Sequence, residues 1–426
     1  MKLDLLIFLV GISFSARSAR SFSYRALPAG TVNLSSSVQR DVYTMADWAA
    51  GYGVQQAEGV LLTSYDGSDY FPMTQSYIPA GSPIMYVPSD LTFTSYKAEQ
   101  EFGASLSICE NQLVQAGLGD KVPLFRVFFK IIAEYEKGED SPWYPWLNSL
   151  PRVFNTGASM TYACFDCLPP YAAYLALSER QNFVNFQKAI KTAPFSEDIV
   201  KNVTLLKWAY NVALTRSMEI NGERMIAPMA DMFNHSADTE VEISYDDNGD
   251  CYAYASVDIP AGSPLRVSYG DPTDPTPLFA KYGFLDESSP GTFCKLMNMR
   301  LEIDALGYTY ADLLFYRENG AISSEVYDVV LYHILRNNDD GMANGFYGAV
   351  MSGDENAKAQ YHDQYWQYTK QELQKHVDGT LRDLERWSAK AQSYDLNTHP
   401  RVPLILQHNE FVKETFLRVK TNLDMM

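Results

Sequence analysis

The stretch RMIAPMADMFNHSAD, Arg224–Asp238, decides how this chain is read. Its apolar run, Met225-Ile226-Ala227-Pro228-Met229, predicts strand and core. The run empties into Asp231, Asn234, His235 and Ser236, a polar group at the end of a buried element. Those letters suit a metal site, a hydrolase fragment, a glycosylation sequon or a cradle for a small molecule. No HExxH spacing exists among His235, His333, His362, His376, His399 and His408, which excludes a zinc protease of that kind. A GxSxG elbow and a Walker A loop are both missing, and Gly51-Tyr52-Gly53 lacks the third glycine of a dinucleotide loop. Asn234-His235-Ser236 is a sequon, as are Asn33-Leu34-Ser35 and Asn202-Val203-Thr204, but it follows chain expected to be buried. A small-molecule cradle remains, and no metal is expected.

The flanks extend the reading. The hexapeptide IPAGSP occurs at Ile78–Pro83 and again at Ile259–Pro264, each copy between extended-looking segments. Pro and Gly at these offsets suit tight turns, so two hairpins of similar build are expected. Between them, Val122–Tyr135 and Tyr171–Ile190 carry apolar residues at helical spacing, interrupted by SPWYPWLNSLP at Ser141–Pro151. Leu373, Val377, Leu381, Leu384, Trp387 and Ala391, then Val412, Phe416, Val419 and Leu423, continue the helical period; such stripes are core. The order is strands, a helical insertion, more strands and a helical tail.

With 426 residues the chain is long enough for two or three cores. A net charge of −18 argues against a general nucleic-acid binder, because neutralising phosphates needs clustered Lys and Arg. Five scattered cysteines make no disulfide scaffold, and the single CxxC, Cys164–Cys167, reads as two reduced thiols. No run reaches the ~18 apolar residues of a membrane span. The first forty residues differ from the rest. LDLLIFLVGISF has the length of a signal peptide, and from Leu5 to Arg40 there is no Asp or Glu among many serines and four arginines. That combination predicts a two-part leader to a plastid bounded by extra membranes, or, alternatively, simple secretion.

ADMFNHS (Ala230–Ser236), IPAGSP, VSYG (Val267–Gly270) and KYGF (Lys281–Phe284), in that order, resemble the carboxy half of a SET domain. The similarity is to the Rubisco large-subunit lysine methyltransferase-like branch, and it extends upstream to Glu58-Gly59-Val60, the first IPAG turn and SPWYPWLNSLP. The resemblance implies an α+β fold of short sheets with knot-like threading. Its domains would be a leader over 1–40, a SET domain over 41–289 with a helical insertion at about 95–210, and an all-helical substrate-binding domain over 290–426. It implies a protein-lysine N-methyltransferase using S-adenosylmethionine on a non-histone protein such as Rubisco or aldolase, acting as a monomer. Tyr269 would be catalytic. Glu58, Val60, Arg216, Asp231, Asn234, His235 and Tyr282 would hold the cofactor, and Tyr245, Asp231 and Tyr282 would frame the substrate side chain.

Each residue also has a plainer reading: Asp231 as a turn residue, His235 as a core histidine, the tyrosines as packing aromatics, Arg216 as a salt-bridge partner. Leu61 stands where the branch has a glycine, and Asp274-Pro275, in the proline-rich stretch after Tyr269, stands where it has Ser-Asn. Both leave open a non-catalytic SET-like binding module. Met218, neither the aromatic of lysine-type members nor the asparagine associated with histidine methylation, leaves open a protein-histidine methyltransferase.

Overall fold

The computed structural model describes residues 30–426, so most of the expected leader lies outside the described residues. Its last part does not hang free. Val32 is 1% exposed within the main core. Arg40 donates through Nε to the Ser149 carbonyl at 2.6 Å and through Nη1 to the Ser68 carbonyl at 2.8 Å. Packed chain therefore starts before residue 41. An acidic-poor, serine-rich composition cannot distinguish a leader from a strap whose arginine satisfies buried carbonyls.

Asp41 then caps helix α1 (Val42–Gly51), accepting from the Thr44 N–H at 3.1 Å. Short strands follow: β1 (Gln55–Gln56), β2 (Val60–Thr63), β3 (Phe71–Thr74), β4 (Pro83–Val87) and β5 (Phe93–Thr94). Seven helices come next: α2 (Ser95–Gln115), α3 (Val122–Lys137), α4 (Tyr144–Ser149), α5 (Tyr162–Phe165), α6 (Pro170–Ala189), α7 (Glu197–Lys201) and α8 (Val203–Arg216). Helix α3 is buried on nearly every face, from Leu124 to Tyr135, because α2 and α8 flank it and Phe186 of α6 meets Phe125 edge-on at 5.1 Å. The prolines of SPWYPWLNSLP are accommodated because Pro145 falls in the first turn of α4, where no intrahelical N–H is required.

The chain returns to strands with β6 (Met218–Ile220), β7 (Glu223–Ile226), β8 (Asn234–His235), β9 (Val241–Tyr245), β10 (Cys251–Ala255) and β11 (Arg266–Val267). The sheets are β1-β4-β10-β9, β5-β7-β6, β2-β3 and a parallel pair, β8-β11. In β10, Cys251, Ala253 and Ala255 face the core while Tyr252 and Tyr254 stack outside, the period-two alternation of a half-buried strand. The two IPAGSP copies are not hairpins. Each links strands of different sheets, and they pair with each other through reciprocal Ile78–Ile259 backbone bonds of 2.8 and 2.9 Å. Gly81 and Gly262, at φ 77° and 83°, supply the positive φ that the third position of such a turn requires.

Helix α9 (Pro275–Tyr282) begins within the proline-rich stretch after Tyr269. The remainder holds β12 (Gly291–Phe293), α10 (Arg300–Ala305), β13 (Leu314–Tyr316), α11 (Ser324–Asn338), α12 (Asp340–Ser352), α13 (Glu355–Gln392) and α14 (Val402–Met425). It is helical apart from the antiparallel β12–β13 pair. Leu373, Val377 and Leu384 of α13 pack with Val412, Phe416, Val419 and Leu423 of α14 in one core. Ala391, Val402 and Ile405 join instead with Met160, Cys164 and Phe279, which ties the helical tail to the strand-rich part. The architecture is α+β. No helix among the described residues is long and apolar enough to cross a membrane.

Candidate active site

Between β7 and β8 the backbone makes one abrupt step. Met229 takes φ 73°, a conformation costly for a non-glycine residue, and Ala230–Met232 form a single 3-10 turn. The step projects Asp231 sideways. Trp146, fully buried on α4, donates its indole N–H to Asp231 Oδ2 at 3.2 Å, while Oδ1 is buried with no partner. Arg216, the last residue of α8, donates through Nη1 to the Asp231 carbonyl. Its Nε and Nη2 have no protein acceptor among the described residues, so half of the guanidinium fork is free for a ligand.

His235 links this turn to Tyr269. Its Nδ1 accepts from the Tyr269 backbone N–H at 3.1 Å, and Nε2 lies 3.3 Å from Asp286 Oδ2. An accepting Nδ1 places the ring proton on Nε2, facing that carboxylate. The Tyr269 hydroxyl donates to the Phe233 carbonyl at 2.6 Å, and its ring lies 4.7 Å from that of Tyr282. The Tyr282 hydroxyl reaches back to the Tyr269 carbonyl at 3.4 Å. Gly283 ends α9 at φ 79°, and a Cβ there would lie 2.4 Å from the Asn155 backbone, so only glycine allows this approach.

Two cavities meet at this point. The larger, about 840 Å³, is bordered by Arg40, Asp69, Asn234, His235, Phe284 and the Asn155 segment. The smaller, about 410 Å³, is bordered by Ala230, Asp231, Ile243, Tyr245, Val267 and Lys281. Thr215, Arg216, Tyr269 and Tyr282 border both. Of the residues singled out in the sequence, Asn234 and His235 face the larger cavity, Asp231 and Tyr245 the smaller, and Arg216, Tyr269 and Tyr282 the wall between.

Glu58 and Val60 are not among the residues that border either cavity. Glu58 is exposed in the turn before β2, and Val60 pairs with Thr74. The loop Asp66–Asp69 forms that wall instead, and Asp69 accepts from Asn234 Nδ2 at 3.1 Å. The sequence reading also missed Arg40, set aside with the leader, and Arg152, one residue past SPWYPWLNSLP. Both are cations held by backbone carbonyls at the larger cavity.

Burial governs the electrostatics. It raises the Tyr269 phenol well above its ordinary range and Tyr282 to about 12, so both remain protonated donors near neutral pH. It raises Asp231 as well, against the opposing pull of Arg216 and the Trp146 hydrogen bond. Arg40 is lowered to about 9, by burial first and the Arg216 charge second. Lys281 is lowered to about 8 by burial, assisted by Arg224.

A family model for the SET domain matches residues 73–270, the region that holds Arg216, Asp231, Asn234, His235, Tyr245 and Tyr269. The chain carries a SET domain. A curated relative, SET domain-containing protein 4 of Artemia parthenogenetica, is 26% identical over 180 residues, 38% of this chain and 44% of that protein. The chain thus matches less than half of that relative's length. Among solved structures, Rubisco LSMT bound to AdoMet aligns with a TM-score of 0.61 and 16% identity, over 91% of this chain and 92% of that one. The SET domain of LSMT bound to lysine and AdoHcy aligns at 0.59 and 14% identity, over 90% and 91%. Rubisco LSMT bound to sinefungin and monomethyllysine aligns at 0.60 and 14%, over 91% and 92%. These likenesses show a shared fold that includes the helical tail of the SET-domain chain.

Proposed function

We propose that this SET-domain protein is an S-adenosylmethionine-dependent protein-lysine N-methyltransferase acting, as a monomer, on a non-histone protein. The observation that carries the reading is the shared wall: Arg216, Tyr269 and Tyr282 border both cavities. A donor entering one cavity and a side chain entering the other would meet there without either crossing the other's path. The LSMT structures, bound to AdoMet in one case and to sinefungin with monomethyllysine in another, support a methyl donor and a lysine acceptor as the two occupants.

The donor's chemistry is a methyl group carried on a sulfonium. The free donors of Arg216, with Arg40 nearby, suit its carboxylate, and guanidinium forks bind carboxylates bidentately. Asn234 and His235, on β8, border the larger cavity. Buried phenols at Tyr269 and Tyr282 present electron-rich faces to a cation. Tyr269 cannot be a bulk base, because its proton is held by burial and by the Phe233 carbonyl. Its role is to orient, and alignment of acceptor and methyl at about 3–3.5 Å is the main source of rate in such a displacement. A lysine costs about 4–5 kcal/mol to deprotonate at pH 7, and removal from water beside other cations reduces that cost.

The apolar run LDLLIFLVGISF followed by an acidic-poor stretch supports delivery to a plastid, with Rubisco or aldolase as target; a fluorescent fusion of residues 1–45 that remained outside plastids would remove that part. A second reading, a non-catalytic module, is favoured by the absence of Glu58 and Val60 from either cavity. Incubation with methyl-labelled cofactor and an organelle extract separates the two. Label appearing in a protein, and lost on Tyr269→Phe, supports the transferase, whereas no incorporation by the wild type supports the module.

A further inference from the structure

The smaller cavity holds a cation that methyl transfer does not require. Lys281 sits in the last turn of α9, one residue before Tyr282, half-buried on the cavity wall with Tyr245, Tyr269 and Arg224. Its Nζ lies 4.8 Å from the centroid of the Tyr282 ring. No carboxylate, carbonyl or hydroxyl among the described residues hydrogen-bonds or ion-pairs with it. The charged groups around it are few. Arg224 of β7 and Lys121, just before α3, oppose its charge. Glu179 of α6 and Glu219 of β6 favour it, but Glu219 is paired with Arg224 and Glu179 accepts from the Tyr210 hydroxyl at 2.8 Å. The remaining ionisable neighbours on the cavity, Asp231, Arg216 and the three tyrosines, belong to the site already described.

We propose that Lys281 is a specificity-determining residue of the acceptor channel, a fixed amine that resists a positively charged side chain and admits it once one of the two amines is uncharged. This rests on the smaller cavity being the acceptor channel of the methyltransferase reading. Two ammonium groups in one narrow, phenol-lined space disfavour each other's charge, and a pair so close takes up its protons as a unit. A lysine with a carboxylate partner would be a neutralised part of the wall. Lys281 has only the face of Tyr282, which holds a cation weakly and leaves it able to lose its proton. Since Lys281 is lowered to about 8, roughly a tenth of molecules present an uncharged wall at pH 7 and most do at pH 9.

The test is equilibrium binding of Nα-acetyl-lysine, whose side-chain amine stays largely charged across that range, to the S-adenosylhomocysteine-saturated full chain. Calorimetric titrations at pH 7 and pH 9 compare the wild type with Lys281→Met and Lys281→Arg. Wild-type affinity is expected to rise about tenfold from pH 7 to pH 9. Lys281→Met should bind about tenfold more tightly than wild type at pH 7 and lose the pH step, and Lys281→Arg should bind weakly at both pH values. A purely structural role would weaken both variants together. Wild-type affinity equal at the two pH values, or Lys281→Met no tighter than wild type at pH 7, or no binding by any form, overturns the proposal. Binding of S-adenosylhomocysteine is read first on the same samples, so failure of the cofactor reading shows separately from failure at Lys281.

Discussion

Asp231, on the wall of the smaller cavity, has one carboxylate oxygen on the Trp146 indole and the other buried with no partner. Removing the indole donor by Trp146→Phe leaves both oxygens unpaired. That should cost roughly 1–3 kcal/mol of stability, read by chemical denaturation. Tyr269→Phe removes only a hydroxyl bonded to a carbonyl. It should lower methyl transfer about 10²-fold or more while leaving S-adenosylhomocysteine affinity nearly unchanged, which single-turnover assay and calorimetry would show together. Residues of this kind were legible because Arg216, Asn234, His235 and Tyr269 fall in short motifs whose order along the chain is itself informative. Arg40 was not legible. It reaches the site from nearly two hundred residues upstream of Asp231 and lies in a segment whose composition pointed elsewhere. Glu58 and Val60 lie outside the lining of both cavities, and a motif alone does not report which side of a hairpin faces a cavity.

At the scale of elements, the departure Asp274-Pro275 proves to be a brace. Asp274 is 2% exposed, caps α9 through the Thr276 N–H and also accepts from the Thr292 hydroxyl and the Phe293 N–H of β12. Lys295 lies 3.8 Å away, equally buried. Asp274→Ala would leave that ammonium uncompensated and loosen the helix that carries Lys281 and Tyr282. A loss of about 3–5 kcal/mol in denaturation is expected, with cofactor affinity falling in parallel. Close by, His408 is fully buried, 3.3 Å from the Thr276 hydroxyl, and burial lowers it from 6.5 to about 3. Below pH 6.5 the unfolded chain takes up a proton that the folded chain refuses. Stability from this group is therefore complete above 6.5 and falls toward pH 3, by a few kcal/mol on the order of 4. Melting temperature against pH should show that decline, and His408→Gln should flatten it. Helices α3, α6, α13 and α14 could be read from apolar spacing alone, since their burial follows a simple period. The IPAGSP turns could not, because their strand partners are set by long-range pairing that local turn chemistry does not specify.

Over the whole molecule, α4 and α8 deliver Trp146 and Arg216, the strands and the segments next to them deliver Asp231, Asn234, His235, Tyr245 and Tyr269, and α9 delivers Lys281 and Tyr282. The tail secures α9 from behind through Phe279, Val402 and Ile405. The residues after 290 border neither of the two cavities, so the tail holds the site in place without forming its walls. On the proposed function, the larger cavity receives the methyl donor by its carboxylate. The most direct measurement is calorimetric titration of the full chain with S-adenosylhomocysteine, in the wild type and in Arg216→Ala. Saturable one-to-one binding is expected in the wild type, weakened at least about tenfold in the variant. No heat of binding in a wild-type protein that melts cooperatively, or equal affinity in both proteins, would contradict it.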